Sequence, residues 1–474
     1  MKKVSRRRFI NNLIGGTIGV GTFPLLSFSS KDNKYAKKKN IPVIGEFDIC
    51  VLGGSCTGVF AAVRAARLGA SVVIVEKQNA FGGVATNGLV NIWHSLYNTE
   101  KNKQIIAGLT YEIIERLAHR EAVTYDREDK KSHFTLNTQE LKIDLDELII
   151  ESGITPYLHT LFSEPFNDSK GQLEGVIIDN KSGRGVIKAK YFIDATGDGD
   201  LCERMGMVTY IHDHIQPPST AAYFEGWNSG QFNSLLKEHG KEFNIPEGFV
   251  WGAQLPGTNS YMLSGTRVYN VNCAFADDLT KAEIEGRRQI RAFLDMIRKY
   301  GQNFKVGLSG LPSYIGIRET RHIKCLYQVN DKDTMFGERF KDAIANGSYV
   351  LDLHHQDKPG ITFRYLDGTE SYSRPGYPAV VGRWREATEI NPTFYQVPLR
   401  SLIPEKSNNV IIAGRMLDAS PVSFSGIRVM VNMNQLGEAA GVTAYLALNQ
   451  NKKIKDVDYN DVRKELEKGG SIII

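Results

Sequence analysis

An α/β fold is predicted by three stretches of this chain that share one design, a short apolar strand delivered into a glycine turn. The first is Phe47-Asp-Ile-Cys-Val-Leu-Gly-Gly-Ser-Cys-Thr-Gly58, followed by a helical stretch to Leu68 and a second apolar strand, Val72-Val-Ile-Val, ending at Glu76. The second is Phe192-Ile-Asp-Ala-Thr-Gly-Asp-Gly-Asp200, and the third is Asn409-Val-Ile-Ile-Ala-Gly-Arg415. Strands alternating with helices build a mostly parallel sheet, and ligands of such sheets sit beyond the carboxyl ends of the strands. The expected architecture is a Rossmann-like nucleotide-binding domain, split in sequence, with an inserted α+β, β-rich substrate domain.

Taken in order, residues 1–29 read as an address. Ser5-Arg-Arg-Arg-Phe-Ile10 matches the twin-arginine export pattern, a mildly apolar run follows to Phe28, and Ser27 and Ser29 offer the small residues a signal peptidase reads. A twin-arginine signal peptide predicts an exported protein, periplasmic or secreted, and that route suits one that loads a cofactor before it leaves. No cysteine near Ser29 accepts a lipid, so no stable membrane anchor is expected. The formal charge of +5 belongs to this segment, since Lys2, Lys3, Arg6, Arg7 and Arg8 stand there without an acid. The neutral remainder lacks the basic footprint of a nucleic-acid binder. Residues 30–44 read as a linker.

Residues 45–205 form the first part of the nucleotide-binding domain. Gly53, Gly54 and Gly58 supply the turn, while Ser55 takes the usual place of the middle glycine. Cys56 and Thr57 open the helix, whose free N–H groups suit a pyrophosphate. Glu76, with Lys77 beside it, ends the second strand where an acid accepts from a ribose hydroxyl. A second glycine loop brings Gly82, Gly83, Ala85 and Thr86, and His94 follows it. Helical spacing over 105–120 and 139–152, then strands over 154–162, 173–178 and 186–192 with a turn at 179–183, lead to Ala195, Thr196, Gly197 and Asp198. That aspartate is placed to hold a ribityl or ribose hydroxyl.

Residues 206–390, less regular and rich in Tyr, Phe, Gly and His, are assigned to the substrate domain, with one long helix at about 277–300. Residues 391–450 return to the nucleotide-binding domain. Gly414 and Arg415 follow the strand, and one helix is expected from Gly426 through Ile427 and Arg428 to Leu448. Its positive end would face the pyrimidine edge of a flavin, with Arg428 toward O2, and Gly437 and Gly441 would pack on the sheet. Residues 451–474 are read as a tail.

These motifs, with Gly316-Ile-Arg-Glu-Thr-Arg321 between them, fall in the order seen in a family of FAD-dependent oxidoreductases. Over about residues 46–448 the chain resembles an exported bacterial member. The resemblance implies non-covalent FAD across a split FAD-binding domain and places Phe162 where the adenine packs against backbone. It leaves the substrate open.

For chemistry, His94 is a candidate acid or base beside the flavin, and Arg318, Glu319 and Arg321 a candidate clamp. His354 and His355, between Asp352 and Asp357, read as a solvated loop, and no metal is expected. The five cysteines lack C-x-x-C spacing and read as small buried residues, Cys56 on the phosphate loop being set apart. No second glycine fingerprint serves NAD(P)H. The sequence thus predicts an FAD-dependent oxidoreductase taking hydride from a small polar substrate such as a sugar or polyol. The alternatives are an electron-transfer flavoprotein serving a partner protein and a protein with FAD as structural filler. The electron acceptor and oligomeric state stay open.

Overall fold

Strand β1 (Val43–Leu52) turns buried over its last four residues, where it lies between two parallel neighbours. On one side Leu52 stands opposite Val75 at the end of β2 (Val72–Val75), and on the other opposite Asp194, the end of the strand Gly183–Asp194. That strand in turn takes Val410–Ile412 in parallel, with Ile412 opposite Asp194. Four strand ends are therefore level: Leu52, Val75, Asp194 and Ile412. Each is followed at once by one of the glycine or acidic motifs, so pairing register alone gathers residues from three distant parts of the sequence. The computed structural model behind this description covers residues 41–474 apart from 127, 129, 170, 227–231, 248–249 and 302–304. The expected signal peptide and most of the linker lie outside the described residues. The linker's last residues do not behave as one, because Val43 already pairs with Val186.

The seven-stranded sheet is completed by Thr155–Tyr157 beside β2 and by an antiparallel extension. The first half of Gly183–Asp194 pairs with Leu173–Asn180 through a tight turn, with Gly183 at φ 108°, and the second half carries Val410–Ile412.

Helix α1 (Cys56–Arg67) is buried over most of its length because a second helix, Met430–Gln450, crosses it. A Cβ added to Gly437 would stand 2.1 Å from the Thr57 carbonyl oxygen, and one on Gly441 2.2 Å from that of Ala61. These glycines therefore serve helix-on-helix approach, not packing on the sheet as expected. A buried ion pair fixes the seam. Arg64 Nε donates to Glu438 Oε2 at 2.7 Å, and Glu438 also accepts from the Leu109 N–H at 3.1 Å and Ser471 Oγ at 3.2 Å.

Two more expectations need correction. The helix foreseen from Gly426 to Leu448 is two helices, Pro421–Ile427 and Met430–Gln450, because Val429 is extended (φ −68°, ψ 148°). Residues 451–474 are not a tail. Helix Tyr459–Lys468 buries Val462 and Leu466, and Gln396 Nε2 donates to the Ile474 carbonyl at 2.9 Å.

The inserted region supplies two four-stranded antiparallel sheets. One runs Trp251–Gln254, Tyr261–Ser264, Ala221–Glu225, Gly307–Gly310; the other Leu351–His354, Ile361–Arg364, Thr369–Ser373, Val380–Arg383. Helix Ala276–Tyr300 packs Phe293, Met296 and Ile297 with Phe224. Asp352 and His354 are buried in a strand, so the solvated-loop reading of this segment is wrong at those two residues. Residues 42–474 form one compact unit. No helix among the described residues is long and apolar enough to cross a membrane.

Candidate active site

A cavity of about 630 Å³ opens at the level strand ends and runs from the α1 N-terminus to the walls of the inserted sheets. Of the residues singled out in the sequence, Gly53, Ser55, Cys56, Thr57, Glu76, Lys77, Gly82, Gly83, His94, Phe162, Ala195, Thr196, Gly197, Arg318, Gly414, Arg415 and Arg428 line it. Gly53 has φ 102°, and a Cβ there would meet the Ala195 carbonyl oxygen at 2.2 Å, so only glycine lets the two turns touch. Ser55 caps α1, accepting from the Gly58 N–H at 3.4 Å, which leaves its hydroxyl proton free for an anion. There is room for a side chain here because Gly83 faces it: a Cβ on Gly83 would lie 2.8 Å from that of Ser55. Glu76 Oε2 accepts from the Gly54 N–H at 2.6 Å and Oε1 from the Gln78 N–H at 2.8 Å. Each oxygen keeps a lone pair for a ribose hydroxyl. Burial pushes the Cys56 thiol up to about 12, so it stays protonated and unreactive like the other four cysteines.

The structure does not bring Gly54, Gly58, Ala85, Thr86, Asp198, Gly426, Ile427, Glu319 or Arg321 to the cavity wall. Gly58 abuts the Gly53 carbonyl, where a Cβ would sit at 1.9 Å. Ala85 and Thr86 shape the second loop, Thr86 Oγ1 donating to the Phe81 carbonyl at 2.5 Å. Asp198, expected to hold a hydroxyl, instead accepts at Oδ1 from Arg415 (2.5 Å) and Thr320 (2.8 Å). The Gly426 carbonyl accepts from Tyr395 and Asn432, and Ile427 is buried core.

Within the expected clamp, alternation along the chain separates the three residues. Arg318 faces the cavity, whereas Arg321 lies near Asp200 (3.5 Å) and Glu203 (3.7 Å). Glu319 Oε1 meets His212 Nδ1 at 2.5 Å and His322 Nε2 at 3.3 Å, and Oε2 accepts from the Gln216 N–H at 2.8 Å. Burial alone would raise its carboxyl, but the two imidazoles outweigh it and hold the group down to about 2. The spacing of His212, Glu319 and His322 resembles a metal site. Their other imidazole nitrogens donate to the Ala419 and Leu417 carbonyls, which holds both rings toward the Glu319 carboxylate.

Around His94 and Arg428 stand residues that sequence reasoning did not assign to the site: Tyr349, Asp352, His354 and Arg267. His94, on a short strand, packs against Tyr349 with ring centroids 3.9 Å apart and planes tilted by 34°. Burial, with His133 and Arg428 nearby, brings its imidazole down to about 3, leaving it neutral. Asp352 accepts from Arg428 at 2.6 Å and from the Tyr349 hydroxyl at 2.9 Å. His354, one face-repeat along the same strand, takes a hydrogen bond at Nδ1 from Arg267 (3.0 Å) and is held neutral by burial and the neighbouring arginines. The Asp-x-His alternation was the available signal, since residues two apart share a sheet face.

The cavity fits a nucleotide carrying a polar ring. The helix Met430–Gln450 begins there with no side-chain cap, and Val429, Met430, Met433 and Asn434 line the wall. Both amide atoms of Asn434 are buried without a partner, as is Nε of Arg415 and Arg428. Buried polar atoms left this way call for a ligand with donors and acceptors of its own.

A family model described as FAD dependent oxidoreductase matches residues 48–466. A mitochondrial dihydrolipoyl dehydrogenase of Schizosaccharomyces pombe is 40% identical over 65 residues, a match spanning 12% of this chain and 12% of that relative's length. Among solved structures, a geranylgeranyl bacteriochlorophyll reductase-like protein of Thermoplasma acidophilum is similar at 12% identity and a TM-score of 0.44, covering 90% of this chain and 83% of that one. The p-nitrophenol 4-monooxygenase of Pseudomonas putida is similar at 10% identity and a TM-score of 0.38, covering 89% and 85%.

Proposed function

Because this chain belongs to the FAD-dependent oxidoreductase family, we propose that it oxidises a small polar substrate bearing a hydroxyl group, held in the cavity between His94 and Arg318. FAD supplies the acceptor for the hydride leaving carbon. The residues that would hold it are the Gly53–Thr57 turn for the pyrophosphate, Glu76 for the ribose, and Asn434 with the first turn of Met430–Gln450 for the ring. His94 takes the hydroxyl proton at a ring nitrogen. No hydrogen bond among the described residues ties up those nitrogens, and this observation carries the reading. The Tyr349 ring packs against the imidazole, and Ile92, Val90 and Ile317 give the cavity part of its apolar lining. Burial keeps the ring neutral and so able to accept a proton, though it holds that proton weakly and must pass it on.

We propose also that the chain is exported by the twin-arginine pathway, as Arg6 and Arg7 and the apolar run behind them suggest. The test of the function is anaerobic bleaching of the flavin by a panel of polyols, sugars and hydroxy acids. One class should bleach wild type, and His94→Gln should slow that bleaching by roughly 10²-fold or more. Equal rates in the variant would remove His94 as the base.

A further inference from the structure

Three guanidinium groups lie close enough to act on one another, all of them around His354. Arg318 and Arg428 line the cavity, and Arg267, almost fully buried, stands behind His354. Guanidinium stays charged in proteins, so three positive charges share this corner. Among the described residues Asp352 is the acid that acts on Arg318, and it is already engaged by Arg428 and Tyr349. His94 and His354 are neutral and add nothing negative.

Arg318 is the telling member. Its only hydrogen bond among the described residues goes to the neutral carbonyl of Pro217 at 2.6 Å, and no carboxylate pairs with it. Elsewhere the chain matches its buried arginines: Arg64 has Glu438 and Arg415 has Asp198. Burial, then the neighbouring Arg428 and Arg267, bring Arg318 down to about 9, still charged at neutral pH. An unmatched guanidinium in a closed site is costly unless an anion arrives. The cofactor's own phosphates would be held by the turn at the α1 N-terminus, to which none of these three arginines belongs.

We infer that this corner is a carboxylate subsite, with Arg318 as its principal ligand, so that the substrate is a small organic acid and not a neutral sugar or polyol. The inference rests on the proposed oxidation only in calling the bound molecule a substrate. A planar guanidinium presents two parallel N–H groups to a carboxylate, which fixes the orientation of the molecule as well as its charge.

The experiment titrates oxidised holoenzyme with glycolate, succinate and sulfate, and in parallel with glycerol and glucose, reading the flavin absorbance shift and the melting temperature. Glycolate or succinate should shift both, and the neutral compounds neither. Arg318→Gln should weaken carboxylate binding by about tenfold or more, the loss of a charge-assisted bond, with the FAD content per chain unchanged. Arg318→Lys, which keeps the charge but not the fork, should fall between. Neutral polyols binding while carboxylates do not, or sulfate binding in preference to either acid, overturns the inference. Bleaching is read separately. Carboxylate binding that is never followed by bleaching with any hydroxy acid upholds the subsite and removes the oxidation. Bleaching by a neutral polyol without carboxylate binding does the reverse.

Discussion

Replacing Glu438 by Ala tests whether the two halves of the FAD-binding domain are held by the seam between α1 and Met430–Gln450. The Glu438 side chain is 1% exposed and its partner Arg64 7%, so neither charge is relieved by water once the other is gone. The substitution strands the guanidinium with the Gly469 carbonyl and leaves the Leu109 N–H without its acceptor. Breaking a buried pair from one side costs about 3–5 kcal/mol, and the orphaned N–H adds about 1 kcal/mol or more. Burial itself raises the Glu438 carboxyl against the pull of Arg64, so the pair is not a large net gain over an apolar seam. The double variant Arg64→Met with Glu438→Met should therefore recover most of the loss. The assay is urea unfolding followed by flavin fluorescence and far-ultraviolet circular dichroism together. A single-variant loss below about 1 kcal/mol would refute the reasoning, as would a double variant no better than Glu438→Ala.

Glu76→Ala should weaken FAD binding by roughly 1–3 kcal/mol, since the Gly54 and Gln78 N–H groups lose their acceptor along with the ribose; isothermal titration of apoprotein would show it, and unchanged affinity would move the ribose contact elsewhere. Glu319, held at about 2 against an ordinary 4.5, contributes stability that is fully present above pH 4.5 and lost as pH falls toward 2, about 3 kcal/mol in all. Wild-type melting should drop over that window, and Glu319→Gln should flatten the slope while retaining flavin reduction by substrate; reduction lost with flavin still loaded would return Glu319 to the catalytic set. Changing Arg6 and Arg7 together to Lys should strand flavin-loaded protein in the cytoplasm, read by fractionation; normal export would remove the twin-arginine assignment.

The three glycine motifs were legible because each obeys a local rule: an apolar strand, a residue at positive φ and a helix N-terminus lie within a dozen residues. What sequence reading missed depends on non-local pairing. Asp352 and His354 enter the cavity only because their strand heads an antiparallel sheet that faces the FAD-binding domain, and no short-range signal announces that placement. Asp198 looked free to bind a hydroxyl, yet Arg415 and Thr320, more than a hundred residues away, occupy it. Glu319 and Arg318 are neighbours in sequence and part company in space, one bracing two histidines and the other facing the cavity. The break at Val429 escaped prediction because none of Ile427, Arg428, Val429 and Met430 is a helix breaker.

The most direct test of the account is the flavin content of the full-length purified protein. Level strand ends carrying three converging motifs predict one FAD per chain, released intact by acid or heat. A folded preparation that is colourless and takes up no added FAD, or one whose flavin stays on the peptide after acid, would contradict it.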